Sequence, residues 1–113
     1  MAFDSTGIVY VTDFKNGSVQ VFTAEGQYLT QFQKAEMKLG GPASISIDSD
    51  NVVYVTECNN HCVSMFTCEG KFLTSFGTKG SGPGQFNLPR GIAVDKNGVV
   101  YVSDNQNNRL QLF

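Results

Sequence analysis

The sequence predicts an all-β chain: part of a β-propeller built from four-stranded antiparallel blades, about two and a half of them. Three observations predict this. The run IVYVTD at 8–13 returns as VVYVTE at 52–57 and as VVYVSD at 99–104. The spacings hold across other residue types: Tyr10 and Tyr54 are 44 apart and Tyr54 and Tyr101 are 47 apart. The trios Phe22, Phe66, Phe113 and Asp4, Asp48, Asp95 keep the same intervals. A period of this length filled with short β-type runs is the mark of propeller blades or a similar array. Finally, the variation in period sits in one place. Phe32 to Pro42 is 10 residues and Phe76 to Pro89 is 13, which accounts for the whole change from 44 to 47. Stacked blades allow a connecting loop to lengthen, whereas a slipped strand would turn its side chains out of the core.

The elements follow in order within each unit. The first strand is the apolar run 45–47 or 92–94, matched by residues 1–3. The turns Asp4-Ser5-Thr6-Gly7, Asp48-Ser49-Asp50-Asn51 and Asp95-Lys96-Asn97-Gly98 carry residues that tolerate the positive φ of tight hairpins. The second strand is the Val-Tyr-Val run. It is apolar on both faces, as expected for a sheet sandwiched between neighbours. The third strand, 19–22, 63–66 or 110–113, alternates more clearly. A second hairpin turn at 23–26 and 67–70 leads to the fourth strand, 28–32 or 72–76. The Gly- and Pro-containing loop then leads to the next unit. Residues 1–113 thus form one repeat-built domain with units of approximately 1–44, 45–91 and 92–113. Closed propellers usually have at least four blades, so the chain reads as a fragment with cut blades at both ends. Their outer faces are expected to be covered by the remaining blades of a parent chain or by self-association.

Composition narrows the function classes. The net charge is −2 and the pI about 5.1, so there is no global basic signal for nucleic acid. No apolar run approaches the length of a membrane span, which argues against a membrane partner. The N-terminal residues lack the basic and apolar pattern of a secretory leader. Three cysteines, an odd number with no disulfide framework, favour a reducing, cytoplasmic setting.

One string is more specific than the rest. Phe76-Gly77 is followed by Gly80-Ser81-Gly82-Pro83-Gly84-Gln85-Phe86-Asn87-Leu88-Pro89-Arg90-Gly91-Ile92-Ala93-Val94-Asp95, then by Gly98-Val99-Val100-Tyr101-Val102-Ser103-Asp104 and Asn107-Asn108-Arg109-Leu110-Gln111. This resembles the NHL repeat, most strongly from Phe76 to Phe113. The first unit departs from the pattern: it lacks the Gly-Pro-Gly-Gln-Phe stretch and has Asn16-Gly17-Ser18 where the third has Asn107-Asn108-Arg109. The resemblance implies a six-bladed propeller. It also implies a choice of contexts, the commonest in animals being the C-terminal domain of tripartite-motif (TRIM) ubiquitin ligases. There the propeller recruits RNA or protein and a separate RING domain supplies the ligase activity. Other family members are peptidyl-amidoglycolate lyases and extracellular sensor domains. Fold does not choose among these.

Charge does discriminate between the two rims expected of a propeller. Lys15, Lys34, Lys38, Lys79, Arg90 and Arg109 fall in the loops between second and third strands or in the blade-linking segments, which share one rim, the top. Lys71 and Lys96 fall in the bottom turns. Asp4, Glu25, Asp48, Asp50, Glu69 and Asp95 lie at the bottom, and Asp13, Glu36, Glu57 and Asp104 at the top. The top nets +2 and the bottom −4. A basic rim is suited to RNA phosphates or an acidic protein, although turn preference alone also places Asp and Glu in hairpins. With the polar loop residues Asn59, Asn60, His61, Asn107 and Asn108, these six cations are the candidate binding residues. Arg109 has two roles open to it, contact with a ligand phosphate or carboxylate and pairing with Asp104.

Catalytic and metal sites are not expected. Cys58, His61 and Cys62 have suggestive spacing, but a closed zinc site needs four ligands. Cys68 lies a strand away, about 15–20 Å by strand rise. The aligned positions in the other units offer no ligand set. Glu57 aligns with Asp13 and Asp104 and reads as an acceptor for its own loop's N–H groups rather than a partner for a catalytic His61. The Gly80–Gly84 stretch feeds a strand, not the helix N-terminus that a phosphate cradle needs. The Tyr and Phe stripe reads as core rather than a base-stacking platform. The reading is a non-catalytic recognition module without cofactor. Alternatives are a fragment of a lyase- or lactonase-like propeller enzyme, or a structural or sensor array.

Overall fold

The structure is a computed structural model and describes residues 1–34 and 37–113; Glu36, counted above among the top acids, lies outside them. The first sheet has the order β1 (Ala2–Phe3), β2 (Val9–Asp13), β3 (Ser18–Phe22), β4 (Tyr28–Phe32). The second has β5 (Pro42–Ile47), β6 (Val53–Glu57), β7 (Cys62–Phe66), β8 (Phe72–Phe76). After a short pair, β9 (Thr78–Lys79) and β10 (Gln85–Phe86), the third sheet contains β11 (Pro89–Val94), β12 (Val100–Asp104) and β13 (Arg109–Leu112). Every pairing within the three large sheets is antiparallel between sequence neighbours. These are the blades of a propeller, as the repeat predicts.

The repeat holds at the level of register. Tyr10 faces Val21, Tyr54 faces Met65 and Tyr101 faces Leu112 across the second and third strands. The fourth strands carry the same irregularity, between Val21 and Phe22 in one blade and between Met65 and Phe66 in the next. The inner strands start earlier than hydropathy alone indicates, at Pro42 and Pro89. Each bends soon after, where the pairing shifts between Pro42 and Ser44 and between Pro89 and Ile92. A proline tolerates the first position of a strand, and a bulge next to it re-aims the chain.

Packing explains why the three copies of one strand are buried differently. All five residues of β6 are buried, because its sheet has a neighbour on each face. In β2 only Tyr10 is buried, and in β12 burial alternates. One core joins the first two blades through Tyr10, Val19, Val21, Val53, Val55 and Phe66. The other joins the second and third through Tyr54, Val63, Phe86, Val100 and Val102. The aromatic stripe is accordingly core at Tyr10, Tyr54 and Phe66, whereas Phe113 is 43% exposed.

The linker between the second and third blades contains structure that the sequence did not indicate. Thr78 and Lys79 pair in parallel with Gln85 and Phe86, making a small ribbon of the Gly-rich stretch. Gly80 amide donates to the Phe86 carbonyl at 3.0 Å, and the Gly82 amide to the Gln85 side chain at 2.9 Å. Gly77 shows why glycine is needed: its φ is +100°, and a Cβ there would run into the Phe86 ring.

Candidate functional site

Strand register defines the rims. The pairs Asp13–Ser18, Glu57–Cys62 and Asp104–Arg109 close the second-to-third-strand loops. At the same ends of the sheets lie Val19–Phe32, Val63–Phe76, Pro42–Glu57 and Pro89–Asp104, where the linkers leave and enter. Loops and linkers therefore share the top.

Two carboxylates organise this rim, and both are fully buried. Glu57 accepts from the Gly40 amide at 2.9 Å, the Asn60 side chain at 3.0 Å, the Lys34 ammonium at 3.1 Å and the Ser64 hydroxyl. The Cys62 thiol also points at it, at 3.4 Å. Asp104 accepts from the Asn87 amide at 2.7 Å, Asn107 at 2.8 Å and the Arg109 guanidinium at 3.0 Å. Burial alone would push both acids up. The hydrogen bonds outweigh it and hold each below its ordinary value, with Ser64, Gly40, Asn60 and Lys34 acting on Glu57 and Asn87, Asn107 and Arg109 on Asp104. The backbone donors come from the linkers, at Gly40 and Asn87, which corrects the expectation that each loop supplies its own N–H groups. Asp13 does follow that expectation, accepting from the amide and side chain of Asn16 at 3.3 and 2.7 Å.

These networks divide the candidate residues into two groups. Lys34 is spent on Glu57, and its ammonium lies 5.0 Å from the centre of the Phe72 ring. Arg109 binds Asp104 and donates to the carbonyls of Ser81, Gly82 and Gln85 at 2.8–2.9 Å, so of the two roles open to it the structure displays the internal one. Asn60 and Asn107 hold the carboxylates, and Asn107 also donates to the Gly80 carbonyl. His61, at φ +53°, accepts the Leu88 amide on Nδ1 at 3.1 Å. Lys15, Lys38, Asn59, Lys79, Arg90 and Asn108 are exposed. Among the described residues, none of these four cations has an ion pair.

The cysteines are free. Cys58 and Cys62 are buried, and burial together with the Glu57 charge pushes the Cys62 thiol up to about 11. Among the described residues no group of three or more His, Cys, Asp or Glu is placed to hold a metal ion.

The bottom rim repeats a different device, one that the matching intervals of the Asp and Tyr trios foreshadow. Each turn aspartate caps its hairpin by accepting two amides at 2.9–3.1 Å and also accepts the phenol of the tyrosine six residues on. Between the blades, Tyr10 donates additionally to the Cys68 carbonyl at 3.1 Å, and Ser5 and Asn51 exchange two hydrogen bonds. The clefts among the described residues include two of note. One, of about 300 Å³, lies among Phe3, Ile47 and Val94 and the three capping aspartates. The other, of about 350 Å³ and apolar, lies against the third blade between Tyr54, Met65, Phe76, Val100 and Phe113.

The model of the NHL repeat matches residues 1–22, 39–66 and 86–113, more than half of the chain, and the chain belongs to the NHL repeat family. No curated protein matches it. Among solved structures it is similar to a streptogramin B lyase (TM-score 0.74, 16% identity, 97% of this chain and 38% of the lyase). It is also similar to the selenomethionine-substituted virginiamycin B lyase from Staphylococcus aureus (0.73, 19%, 98% and 39%). A protein of unknown function from Desulfotomaculum acetoxidans matches as well (0.65, 17%, 97% and 38%). At these identities the likeness is one of fold. The chain spans about two fifths of the length of each.

Proposed function

We propose that the chain is the recognition part of an NHL propeller and engages an anionic partner, RNA or an acidic protein segment, through its top rim. One observation carries the reading: Lys15, Lys38 and Lys79 are exposed on loops and linkers at that rim and Arg90 is exposed at the start of β11, while the buried acids Glu57 and Asp104 are already neutralised by Lys34 and Arg109. Cations without local partners, on loops held by a rigid scaffold, attract phosphates or carboxylates. The polar exposed Asn59 and Asn108 add neutral donors and acceptors beside them. The family resemblance adds a context, the substrate- or RNA-recruiting domain of a TRIM-type ubiquitin ligase whose catalytic RING lies elsewhere. The free cysteines fit a cytoplasmic location. Among the described residues no helix is long and apolar enough to cross a membrane.

Binding of a labelled single-stranded RNA and of an acidic peptide is to be measured against ionic strength. The double variant Lys79→Glu, Arg90→Glu should lose most of the affinity for the preferred ligand and flatten its salt dependence. Unchanged binding would refute the rim as the site.

A second reading, a piece of a propeller lyase, draws on the names of two structural neighbours. The chain's single histidine has its Nδ1 occupied by the Leu88 amide.

A further inference from the structure

Two glycines of the first blade junction are replaced by larger residues at the second, and the replacements touch. Position for position in the repeat, Gly17 and Gly41 correspond to His61 and Leu88. All four have left-handed backbones, with φ of +63° and +64° at the first junction and +53° and +54° at the second. Glycine adopts that conformation freely, whereas histidine and leucine are strained in it. The amide that follows the strain is also redirected. The Gly41 amide folds back onto the Leu39 carbonyl of its own linker at 3.1 Å. The Leu88 amide instead crosses to the second blade and donates to Nδ1 of His61 at 3.1 Å. Its neighbours in the chain are anchored by other means. The Asn87 amide donates to Asp104 at 2.7 Å, and the Asn87 carbonyl accepts the Gln106 amide at 3.0 Å. The Arg90 carbonyl accepts the Thr56 hydroxyl at 2.7 Å.

We propose that the His61–Leu88 contact is an acid-releasable latch on the linker between the second and third blades, closed by the neutral imidazole and opened by its protonation. Nδ1 accepts a hydrogen bond only while it carries no proton, and in the imidazolium both ring nitrogens are donors. Protonation sets the ring and the Leu88 amide donor against donor. The bond is therefore lost as pH falls through the range in which imidazoles ordinarily titrate, about pH 6.5. The other titratable and charged groups on the elements that meet here are Glu57 and Cys62 of the same hairpin, Lys79 and Arg90 of the linker, and Asp104 and Arg109 of the third blade. Glu57 pairs with Lys34 and Asp104 with Arg109, and among the described residues none forms an ion pair with His61. Both carboxylates are held below their ordinary values and stay ionised throughout the imidazole range. The Cys62 thiol, pushed up to about 11, stays protonated. Of the side chains at this joint, His61 is the one that changes charge there. The release is local. Leu88 and His61 are half-buried, so water can replace the lost partner, while the Asn87 and Arg90 contacts persist. Opening frees the strained backbone at residue 88 without unseating the blades, and overall stability changes little. The inference is independent of whether the top rim binds an anion.

The test is NMR on the full 113-residue chain at a pH about one unit above and one unit below the ordinary imidazole midpoint. At the upper pH the nitrogen spectrum of the ring should show the proton on Nε2 and an accepting Nδ1. Hydrogen exchange at the Leu88 amide, corrected for the intrinsic pH dependence of exchange, should then accelerate about tenfold towards the lower pH, the order expected for loss of one hydrogen bond. The acceleration should share the midpoint of the His61 ring titration, and the Asn87 amide should keep its protection. His61→Asn supplies a residue that does not titrate and that already occupies the same left-handed position in the third blade, as Asn108 at φ +52°. In that variant the corrected Leu88 exchange should be constant across the range. A proton on Nδ1 at the upper pH, unchanged Leu88 exchange, equal acceleration at Asn87, or a His61→Asn variant with the wild-type pH dependence overturns the proposal. The wild-type spectra decide the matter even if the variant perturbs folding.

Discussion

The Tyr54 phenol donates to Oδ2 of Asp48 at 3.0 Å, and the pairs Tyr10–Asp4 and Tyr101–Asp95 reproduce that contact at 3.0 and 3.1 Å. In each case one carboxylate oxygen caps the hairpin while the other holds the tyrosine of the second strand. The turn is thereby fixed to the core ring that packs above it. For Tyr54, burial and the bonded Asp48 push the phenol up to about 12. Tyr54→Phe removes one charge-assisted hydrogen bond and should cost about 1.5 kcal/mol in urea unfolding. Asp48→Ala should cost more, because the amides of Asp50 and Val52 lose their acceptor as well.

Glu57→Ala should be among the most damaging substitutions in the chain. It leaves the Lys34 charge, the Gly40 amide and the Ser64 hydroxyl without their acceptor in a buried site, an effect of about 3–5 kcal/mol. Asp13→Ala at the equivalent position of the first blade removes only the contacts with Asn16 and should cost less than about 1 kcal/mol. Comparing their urea midpoints checks the contrast.

Acid should destabilise the fold through the same pair of carboxylates. Glu57 and Asp104 are held below their ordinary values of 4.5 and 3.8, so the unfolded chain binds their protons more readily than the folded one. The stability they provide is complete above those ordinary values and is lost as pH falls through the depressed folded ones. The urea midpoint should be flat with pH near neutrality and fall below about pH 4.5. A Glu57→Gln variant should show a shallower fall, because only Asp104 of the two then titrates.

Gly77→Ala and Gly26→Ala place the same methyl group at similar backbone angles, φ +100° and +91°. At Gly26 the new Cβ meets open space, whereas at Gly77 it meets the Phe86 ring at the base of the parallel ribbon. Both pay backbone strain. Gly77→Ala should lose about 2 kcal/mol more, because overpacking is added to it. Thermal unfolding of the two variants side by side measures the difference.

The architecture was legible because it is written in a periodic alphabet. The Val-Tyr-Val runs, the turn residues and the single variable linker name the blades and their order without any contact being known. The candidate rim was only half legible. Sequence position places Lys34 and Lys79 in comparable linkers, but whether a cation faces solvent or a buried carboxylate depends on which amides and side chains surround that carboxylate. Those partners, Gly40 for Glu57 and Asn87 for Asp104, lie 17 residues upstream in a different blade's connection. The ribbon of β9 and β10 escaped for a related reason: two-residue strands in a Gly-rich stretch carry no hydropathy pattern. The tyrosine contacts were visible as matching intervals but not as bonds, since an interval of six residues spans a turn whose geometry had to be known first.

The dependence of Glu57 and Asp104 on linker amides bears on fidelity of assembly. Units this alike are prone to stacking in the wrong partner or the wrong order, since their apolar faces are nearly interchangeable. Glu57 buried before its upstream linker arrives would lack both the Lys34 charge and the Gly40 amide, which is strongly unfavourable, whereas Asp104 keeps Arg109 and Asn107 of its own hairpin and loses only the Asn87 amide. The first junction therefore carries its own proofreading check: greasy surfaces draw the blades together indiscriminately, and a Glu57 charge left without Lys34 disfavours arrangements other than consecutive order.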